Sequence, residues 1–259
     1  MTTTEHFLTV DGVKLFARWW RPAVPGKTAL VFLHDGLGST ESLRRFPERL
    51  ADATGLPAFG YDRWGYGKSD ARAVMPVPIM EDYADRLPRV LEAAGIGEHI
   101  VVGHSDGGTI ALLHAMANPP GLRATVSIAA HVQNDDTSRA QLDRHGEMAA
   151  SDEVPDWLIR FQGERSRAVR LMAEWVRAWR ATFVGGWELS QRLKSIRGPL
   201  LALHGEYDDY GEPSQLTTIH KSVPHAECDL LPRLAHFPHL DDPDGVVARI
   251  AEFVGRHGA

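Results

Sequence analysis

A serine flanked by glycines lies in the turn between a predicted strand and a predicted helix. Ser105 is the centre of the G-H-S-D-G motif at 103–107, which follows the β-branched run 99–102 and precedes the helix-like run 109–117. In a strand-turn-helix with the pattern G-x-S-x-G, the serine adopts a strained conformation that its glycine neighbours accommodate, and its hydroxyl is raised above the sheet edge. A simple Gly/Ser turn would not require these flanking elements. We therefore interpret Ser105 as a nucleophile.

Two later loops carry the base and the acid that a nucleophilic serine requires. A serine hydroxyl attacks a substrate only when a base takes its proton, and a carboxylate must orient that base. One loop follows a predicted strand and holds Asp208 and Asp209, and the next holds His236 and His239. Both loops leave the same carboxyl edge of the predicted sheet as Ser105, so we expect them to converge there.

Strands and helices alternate along most of the chain. The predicted strands are 7–10, 13–20, 28–33, 58–61, 99–102, 124–129, 200–203 and 228–231. The predicted helices are 43–54, 79–94, 109–117, 213–222 and 243–256. Pro88 is expected to kink or divide the second helix. Short, continuously apolar strands alternating with helices predict an α/β protein with a doubly wound, mostly parallel eight-stranded sheet.

One long stretch breaks this alternation. Residues 131–194 contain no pattern typical of a buried strand and are rich in tryptophan, arginine, glutamate and alanine. We expect a helical cap inserted after the sixth strand, above the strand ends where ligands bind in such sheets, with residues 1–130 and 195–259 as the core. We assign its tryptophans to substrate binding, and packing of the cap onto the core is the alternative for each. These tryptophans are Trp157, Trp175, Trp179 and Trp187.

Composition points to a small-molecule enzyme. The chain has 259 residues, enough for one large α/β domain or two small ones, and 43% of them are hydrophobic, which can fill a sizeable core. Its net charge of -6, with the two signs interspersed, predicts no nucleic-acid partner. No signal-peptide pattern or membrane-spanning run is evident, which predicts a cytoplasmic protein without a membrane partner. A single cysteine and the absence of metal-ligand spacing predict no disulfide, metal or cofactor, and an oligomer stays possible.

The order of serine turn, acid loop and histidine loop resembles the α/β-hydrolase fold family over nearly the whole chain outside the predicted cap. This resemblance implies that Ser105 is the nucleophile, that Asp208 is the acid and that His236 is the base. A serine at this position argues against the haloalkane dehalogenases and epoxide hydrolases of the family, which use an aspartate nucleophile.

Three other residues compete for the roles of acid and base. Asp209 adjoins Asp208, and Asp135 follows a strand from which some members of the family draw the acid. His239 competes with His236, although the resemblance leaves the later histidine to pack against or cap the following helix. The sequence alone does not decide which residues act as acid and base, and the positions of these side chains in the fold are needed to do so.

The resemblance also implies two backbone N–H donors for a tetrahedral oxyanion, those of Gly36 and Asp106. Asp35 stands where the family commonly has glycine, and Asp106 where methionine or glutamine is often found. Carboxylates facing an oxyanion would oppose catalysis, so we expect both to point away from it, toward cations. Asp35 is in addition a candidate substrate-binding residue. The candidate cations are Arg63, Lys68 and Arg44.

Together these features predict a serine hydrolase that cleaves a small carboxylic ester, lactone or thioester through an acyl-enzyme. Three alternatives stay open. A carbon-carbon bond hydrolase acting on a diketone-like substrate would be favoured by a cap arginine, such as Arg160 or Arg177, placed for a substrate carboxylate. A cofactor-free oxygenase or peroxidase-type activity and a non-catalytic ligand receptor are also compatible with this fold.

Overall fold

Eight strands form a single sheet in the computed structural model, which describes residues 3–151 and 153–257. The strands are β1 (Thr4–Val10), β2 (Val13–Arg21), β3 (Ala29–Leu33), β4 (Ala58–Tyr61), β5 (His99–His104), β6 (Leu122–Ile128), β7 (Leu200–Gly205) and β8 (Glu227–Leu231). Their order is β1-β2-β4-β3-β5-β6-β7-β8. The β1–β2 and β2–β4 pairs are antiparallel and the other five pairs are parallel. The predicted mostly parallel eight-stranded sheet is therefore confirmed.

Helices cover both faces of this sheet. They are α1 (Phe46–Thr54), α2 (Ile79–Ala93), α3 (Asp106–Met116), α4 (Asp136–Ala150), α5 (Asp156–Gln162), α6 (Arg165–Val184), α7 (Ser190–Leu193), α8 (Ser214–Ser222), α9 (Pro238–Asp241) and α10 (Pro243–His257). In β3, Leu30 and Phe32 join an apolar cluster with α1 and α10, whereas Val31 and Leu33 join a second cluster with α2, α3 and α8. Because strand side chains alternate between faces, a strand buried at every residue requires this double covering.

Helix α3 begins at Asp106 rather than at residue 109, and two other helices also differ from their sequence predictions. Helix α1 begins at Phe46 rather than at residue 43, and Pro47 lies in its first turn, where proline is favoured because no N–H is needed. Helix α2 continues through Pro88 without a break. Pro88 is exposed, while Leu87 and Leu91 are buried, so packing of the buried face holds the helix together despite the missing hydrogen bond.

Four helices, α4 to α7, lie between β6 and β7, and we call residues 129–199 the helical insertion. Its buried side chains, including Leu142, Leu158 and Trp175, belong to the same apolar cluster as Ile110 of α3. The insertion therefore packs directly against the helix that follows Ser105. In the part of the chain that the structure describes, no helix has both the length and the apolar character needed to span a bilayer.

A buried histidine pair joins β5 to α3. The Nε2 atoms of His99 and His114 lie 3.0 Å apart, so one ring donates its proton to the other. Burial lowers the pKa of both rings, that of His114 to about 3. The folded pair therefore resists protonation that the same residues accept readily once the chain unfolds.

We expect His114→Gln to reduce the loss of stability in acid. Unfolded histidines bind protons below their ordinary pKa of about 6.5, so the free energy of unfolding falls as the pH drops from there toward the lower pKa of the folded ring. Glutamine keeps a hydrogen-bonding group for His99 but does not titrate. Between pH ~7 and pH ~4.5 the variant should lose about 1–2 kcal/mol less stability than the unaltered protein. Urea unfolding at both pH values measures this, with exposed His220→Gln as the control, and equal pH slopes in all three proteins would refute it.

Candidate active site

Ser105 occupies the tight turn between β5 and α3. Its φ of 55° is rare for a residue with a side chain, so the turn is strained. Two glycines permit it. A Cβ on Gly103 would lie 2.0 Å from the carbonyl oxygen of Gly107, and one on Gly107 would lie 2.2 Å from that of Leu33. The chain can therefore turn sharply enough to leave the Ser105 hydroxyl at the carboxyl edge of the sheet.

The loops after β7 and β8 bring Asp208 and His236 to this hydroxyl. His236 Nε2 lies 3.0 Å from Ser105 Oγ, and His236 Nδ1 lies 2.9 Å from each carboxylate oxygen of Asp208. All three side chains are buried. A proton held on Nδ1 by the carboxylate leaves Nε2 free to accept the proton of the hydroxyl. The arrangement can therefore raise the nucleophilicity of Ser105.

The Asp208 carboxylate is itself fixed by its own loop. The backbone N–H groups of Tyr210 and Gly211 donate to its Oδ1 atom at 2.8 and 3.0 Å. Burial alone would raise the pKa of Asp208, but the adjacent His236 imidazole and these donors hold it below its usual range. The Tyr210 ring stacks on His236 with centroids 4.4 Å apart. Asp208 is therefore ionised at neutral pH and holds an imidazole that cannot rotate freely.

The rival acids and base lie elsewhere. Asp209 is exposed, and Asp135 caps α4 by accepting the Ser138 N–H at 2.6 Å. His239 packs behind the site, with its ring 4.6 Å from that of His104. Among the candidate acids and bases, the fold therefore brings Asp208 and His236 to the Ser105 hydroxyl.

His104 supports His236 in a way that sequence reasoning missed. Its Nε2 atom donates to the backbone carbonyl oxygen of His236 at 2.7 Å. Burial lowers the pKa of His104 to about 4, so its ring is neutral and keeps this donor. The position of His104 directly before Ser105, on a strand that faces the histidine loop, is the signal that could have indicated a positioning role.

A cavity of about 340 Å³ opens above Ser105. The loop after β3, the helical insertion and the loops of Tyr210 and His236 line it, and seven of its twenty lining residues are phenylalanine, tryptophan or tyrosine. Within residues 3–151 and 153–257, no group of three or more His, Cys, Asp or Glu side chains is arranged to hold a metal ion. The cavity thus presents an apolar surface with a few polar groups near the hydroxyl, as small-molecule sites commonly do.

Three of the four predicted substrate-binding tryptophans line this cavity, as does Asp35. They are Trp157, Trp175 and Trp179. Trp187 is not among the lining residues. Its indole N–H donates to Glu81 of α2 at 3.0 Å and its ring packs edge-on against Trp179, with centroids 5.4 Å apart. These contacts favour the packing alternative for Trp187, whose N–H attaches the insertion to α2.

The Asp106 carboxylate lies beside the loop that follows β3. It accepts hydrogen bonds from the indole N–H groups of Trp175 at 2.8 Å and of Trp179 at 3.2 Å. A Cβ on Gly36 would lie 2.8 Å from Asp106 Oδ2, so the loop backbone packs directly against this carboxylate. Burial raises the pKa of Asp106, and the charge of Arg63 with the Trp175 N–H opposes that rise.

The predicted cationic partners do not bond to these carboxylates. Arg63 is fully buried and donates to two backbone carbonyl oxygens of the loop after β3, so it acts on Asp106 only through its charge. Lys68 pairs with glutamates, and Arg44 is exposed at the rim of the cavity. Asp35 accepts the hydroxyl proton of Ser42 at 2.7 Å. Neutral indole and hydroxyl groups therefore supply the hydrogen bonds to both carboxylates, and of the three predicted cations Arg63 acts on Asp106 through its charge.

A model of the alpha/beta hydrolase family matches residues 30–249, a span that contains Ser105, Asp208 and His236. The chain belongs to the alpha/beta hydrolase family. This hydrolase is 23% identical over 289 residues to the proline iminopeptidase of Heyndrickxia coagulans, covering 97% of this chain and 98% of that protein. It is 24% identical to the sn-1-specific diacylglycerol lipase ABHD11 of Danio rerio, covering 88% and 78%. The crystal structure of MGS-M2, an alpha/beta hydrolase from a Medee basin deep-sea metagenome library, has the same fold, with a TM-score of 0.79 at 18% identity and coverage of 96% and 97%.

Proposed function

We propose that this alpha/beta hydrolase cleaves a small carboxylic ester, lactone or thioester through an acyl-enzyme on Ser105. The observation that supports this most directly is the continuous hydrogen-bonded chain from Asp208 through His236 to the Ser105 hydroxyl. The chain ends at the floor of an aromatic cavity that suits a small acyl group. A lipase among the matched relatives is an ester hydrolase by name, which favours the same bond type here.

In the first half of the reaction, Ser105 Oγ attacks the substrate carbonyl carbon while its proton passes to His236 Nε2. The bond to the leaving oxygen or sulfur then breaks, and His236 returns the proton to it, which leaves an acyl-enzyme. Water next adds to the acyl carbon and gives one proton to His236. The bond to Ser105 Oγ breaks as His236 protonates it. An ester or thioester with one water thus yields a carboxylic acid and an alcohol or thiol, and a lactone with one water yields one hydroxy acid.

Charge develops at two places during these steps. Asp208 keeps the Nδ1 proton in place and stabilises the imidazolium that forms on His236. The N–H groups of Gly36 and Asp106 are the proposed donors to the oxyanion, since both residues line the cavity beside Ser105. The second donor lies at the start of α3, where the helix dipole also favours negative charge.

The carbon-carbon hydrolase alternative lacks the arginine that would favour it. Neither Arg160 nor Arg177 is among the residues that line the cavity. Arg177 instead pairs with Glu174 at 2.8 Å and donates to the carbonyl oxygen of Met75 at 2.6 Å. Hydrolysis of an ester, lactone or thioester therefore stays the better-supported activity.

The decisive test of this proposal is the reactivity of Ser105. We expect a fluorophosphonate probe to label the unaltered protein and p-nitrophenyl butyrate to be hydrolysed, whereas Ser105→Ala loses the label and at least about 10³-fold in kcat. Removing one hydroxyl leaves the fold in place, which circular dichroism can verify. Exposed Ser166→Ala on α6 is the matched control and should behave like the unaltered protein. Equal turnover by Ser105→Ala would overturn the assignment, and labelling without product release would favour a receptor.

A further inference from the structure

We propose that Gln162, at the end of α5 in the helical insertion, is a positioning residue that holds the Gly36 N–H where the oxyanion forms. The inference rests on the proposed function, because it assigns a further residue to the same reaction. Three observations carry it: the hydrogen bonds of the Gln162 amide, the burial of its side chain, and the way the backbone is held on both sides of Gly36.

The Gln162 amide connects backbone groups from two loops of the core. Its Nε2 atom donates to the carbonyl oxygens of Leu37 at 3.0 Å and of Gly38 at 3.2 Å, both in the loop after β3. Its Oε1 atom accepts the N–H of Gly67, in the loop after β4, at 2.7 Å. Because the amide donates and accepts at the same time, its orientation is fixed. The insertion therefore contributes directly to the shape of the loop that contains Gly36.

The Gln162 side chain is buried, with only 2% of its surface exposed. Water cannot readily replace its hydrogen bonds, so removing the amide would leave buried backbone groups without partners. Helix α5 ends at this residue, because Gly163 follows with a φ of 84° and donates its N–H to the carbonyl oxygen of Ile159 at 2.8 Å. The helix thus stops at the residue whose side chain reaches the loop.

A second buried side chain holds the other side of Gly36. The Arg63 guanidinium donates to the carbonyl oxygens of His34 and Asp35, the latter at 2.7 Å. Gly36 therefore lies between two carbonyl groups held by Arg63 and two held by Gln162. Within the described residues, the Gly36 N–H donates to no other group, so it is available to an oxyanion.

Holding these carbonyl groups matters because an oxyanion donor acts through preorganisation. A donor whose direction is already fixed needs no rearrangement when negative charge develops on the substrate oxygen. Without the Gln162 amide, the carbonyl groups of Leu37 and Gly38 would lose their donor and the Gly36 N–H would be free to turn away. The bound ester carries less charge on that oxygen than the intermediate does, so the loss should fall mainly on the transition state.

Replacing Gln162 with methionine removes these hydrogen bonds while keeping a side chain of similar length. We expect kcat on p-nitrophenyl butyrate to fall at least about tenfold with KM changed less than about twofold. Losing an oxyanion donor outright costs about 10²–10³-fold, and here Arg63 still holds one side of the loop. Arg177→Met on α6 is the matched control. It removes a different bond between insertion and core, to the Met75 carbonyl oxygen at 2.6 Å, and should leave kcat unchanged.

A pair of ketones separates the positioning of an oxyanion donor from a purely structural role. The carbonyl carbon of trifluoromethyl butyl ketone adds Ser105 Oγ, the hydroxyl proton passes to His236, and the carbonyl oxygen becomes an oxyanion. Methyl butyl ketone binds in the same cavity but stays a ketone, because it lacks the fluorine atoms that favour addition. We expect Gln162→Met to raise the inhibition constant of the fluorinated ketone at least about tenfold, and that of the methyl ketone less than about twofold.

A second variant keeps the test decisive if Gln162→Met does not fold by circular dichroism. Gln162→Asn retains an amide but is one methylene group too short to reach the loop carbonyl groups in the same way. It should show the same selective loss in kcat and in the affinity for the fluorinated ketone.

The outcomes separate this inference from the proposed function. An unchanged kcat in a folded Gln162 variant, or equal weakening of both ketones, would overturn the positioning role while leaving a serine hydrolase. An equal loss of kcat in Arg177→Met would overturn it as well, because any loosening of the insertion would then suffice. No ester hydrolysis by the unaltered protein, together with no fluorophosphonate label on Ser105, would overturn the proposed function itself.

Discussion

Replacing Asp208 with asparagine should lower kcat on p-nitrophenyl butyrate by about 10⁴-fold while preserving the fold. Both loop N–H groups donate to Asp208 Oδ1, so the amide oxygen of asparagine must take that position. Its NH₂ group then takes the Oδ2 position, 2.9 Å from Nδ1 of His236, where it disfavours a proton on Nδ1 and favours the tautomer protonated at Nε2. The imidazole would present a donor to Ser105 where a base is required.

Asp209→Asn provides the control for this prediction. It makes the same chemical change one residue away, on a side chain that is exposed. Steady-state kinetics of both variants, with circular dichroism to verify folding, should show normal turnover for Asp209→Asn. Similar losses in the two variants would mean that the loop, and not the Asp208 carboxylate, controls His236.

Replacing Gly103 with alanine should destabilise the protein by about 3 kcal/mol or more, because overpacking a closed turn forces the backbone to move. The added Cβ would lie 2.0 Å from the carbonyl oxygen of Gly107, far inside van der Waals contact. The turn that strains Ser105 would have to open, so activity should be lost together with stability.

Urea unfolding measures this effect, and Gly255→Ala is the matched control. Gly255 lies in α10, and a Cβ there would meet no atom within 4 Å. Alanine at such a helical position should increase the free energy of unfolding by about 0.5–1 kcal/mol. A Gly103→Ala protein as stable as the Gly255→Ala protein would show that the turn is not constrained as described.

Local sequence patterns were enough to predict most of the strands and helices. The apolar run of β3 and the G-x-S-x-G turn at Ser105 act over a few residues, so their structures could be predicted without knowing their partners. The first turn of α1 shows the limit of this reasoning. The predicted helix began too early, at Leu43, whose apolar side chain is buried in a turn rather than in a helix. Pro47, in the first turn of α1, is the signal that could have indicated the correct start.

The candidate site was harder to predict because its contacts are distant in sequence. Asp208 and Asp209 are chemically identical neighbours, and only the folded loop decides which one faces His236. The donors to Asp106 come from Trp175 and Trp179, 69 and 73 residues away. No rule of sequence spacing predicts a contact between a carboxylate and indoles at that separation. The negative charge of Asp106 suggested cationic partners, but the fold places the hydrogen bonds of those cations on other groups.

The hydrogen bonds from the two α6 indoles to Asp106 also affect how molecules enter and leave the cavity, because they hold α6 in place. Lifting α6 would break two hydrogen bonds to a charged group, at about 1.5–3 kcal/mol each, and would strip a buried carboxylate of its donors. These two bonds therefore oppose displacement of α6 from the cavity. Arg44 is exposed among the residues that line the cavity, so we expect product to leave beside it through side-chain rearrangement rather than through displacement of α6.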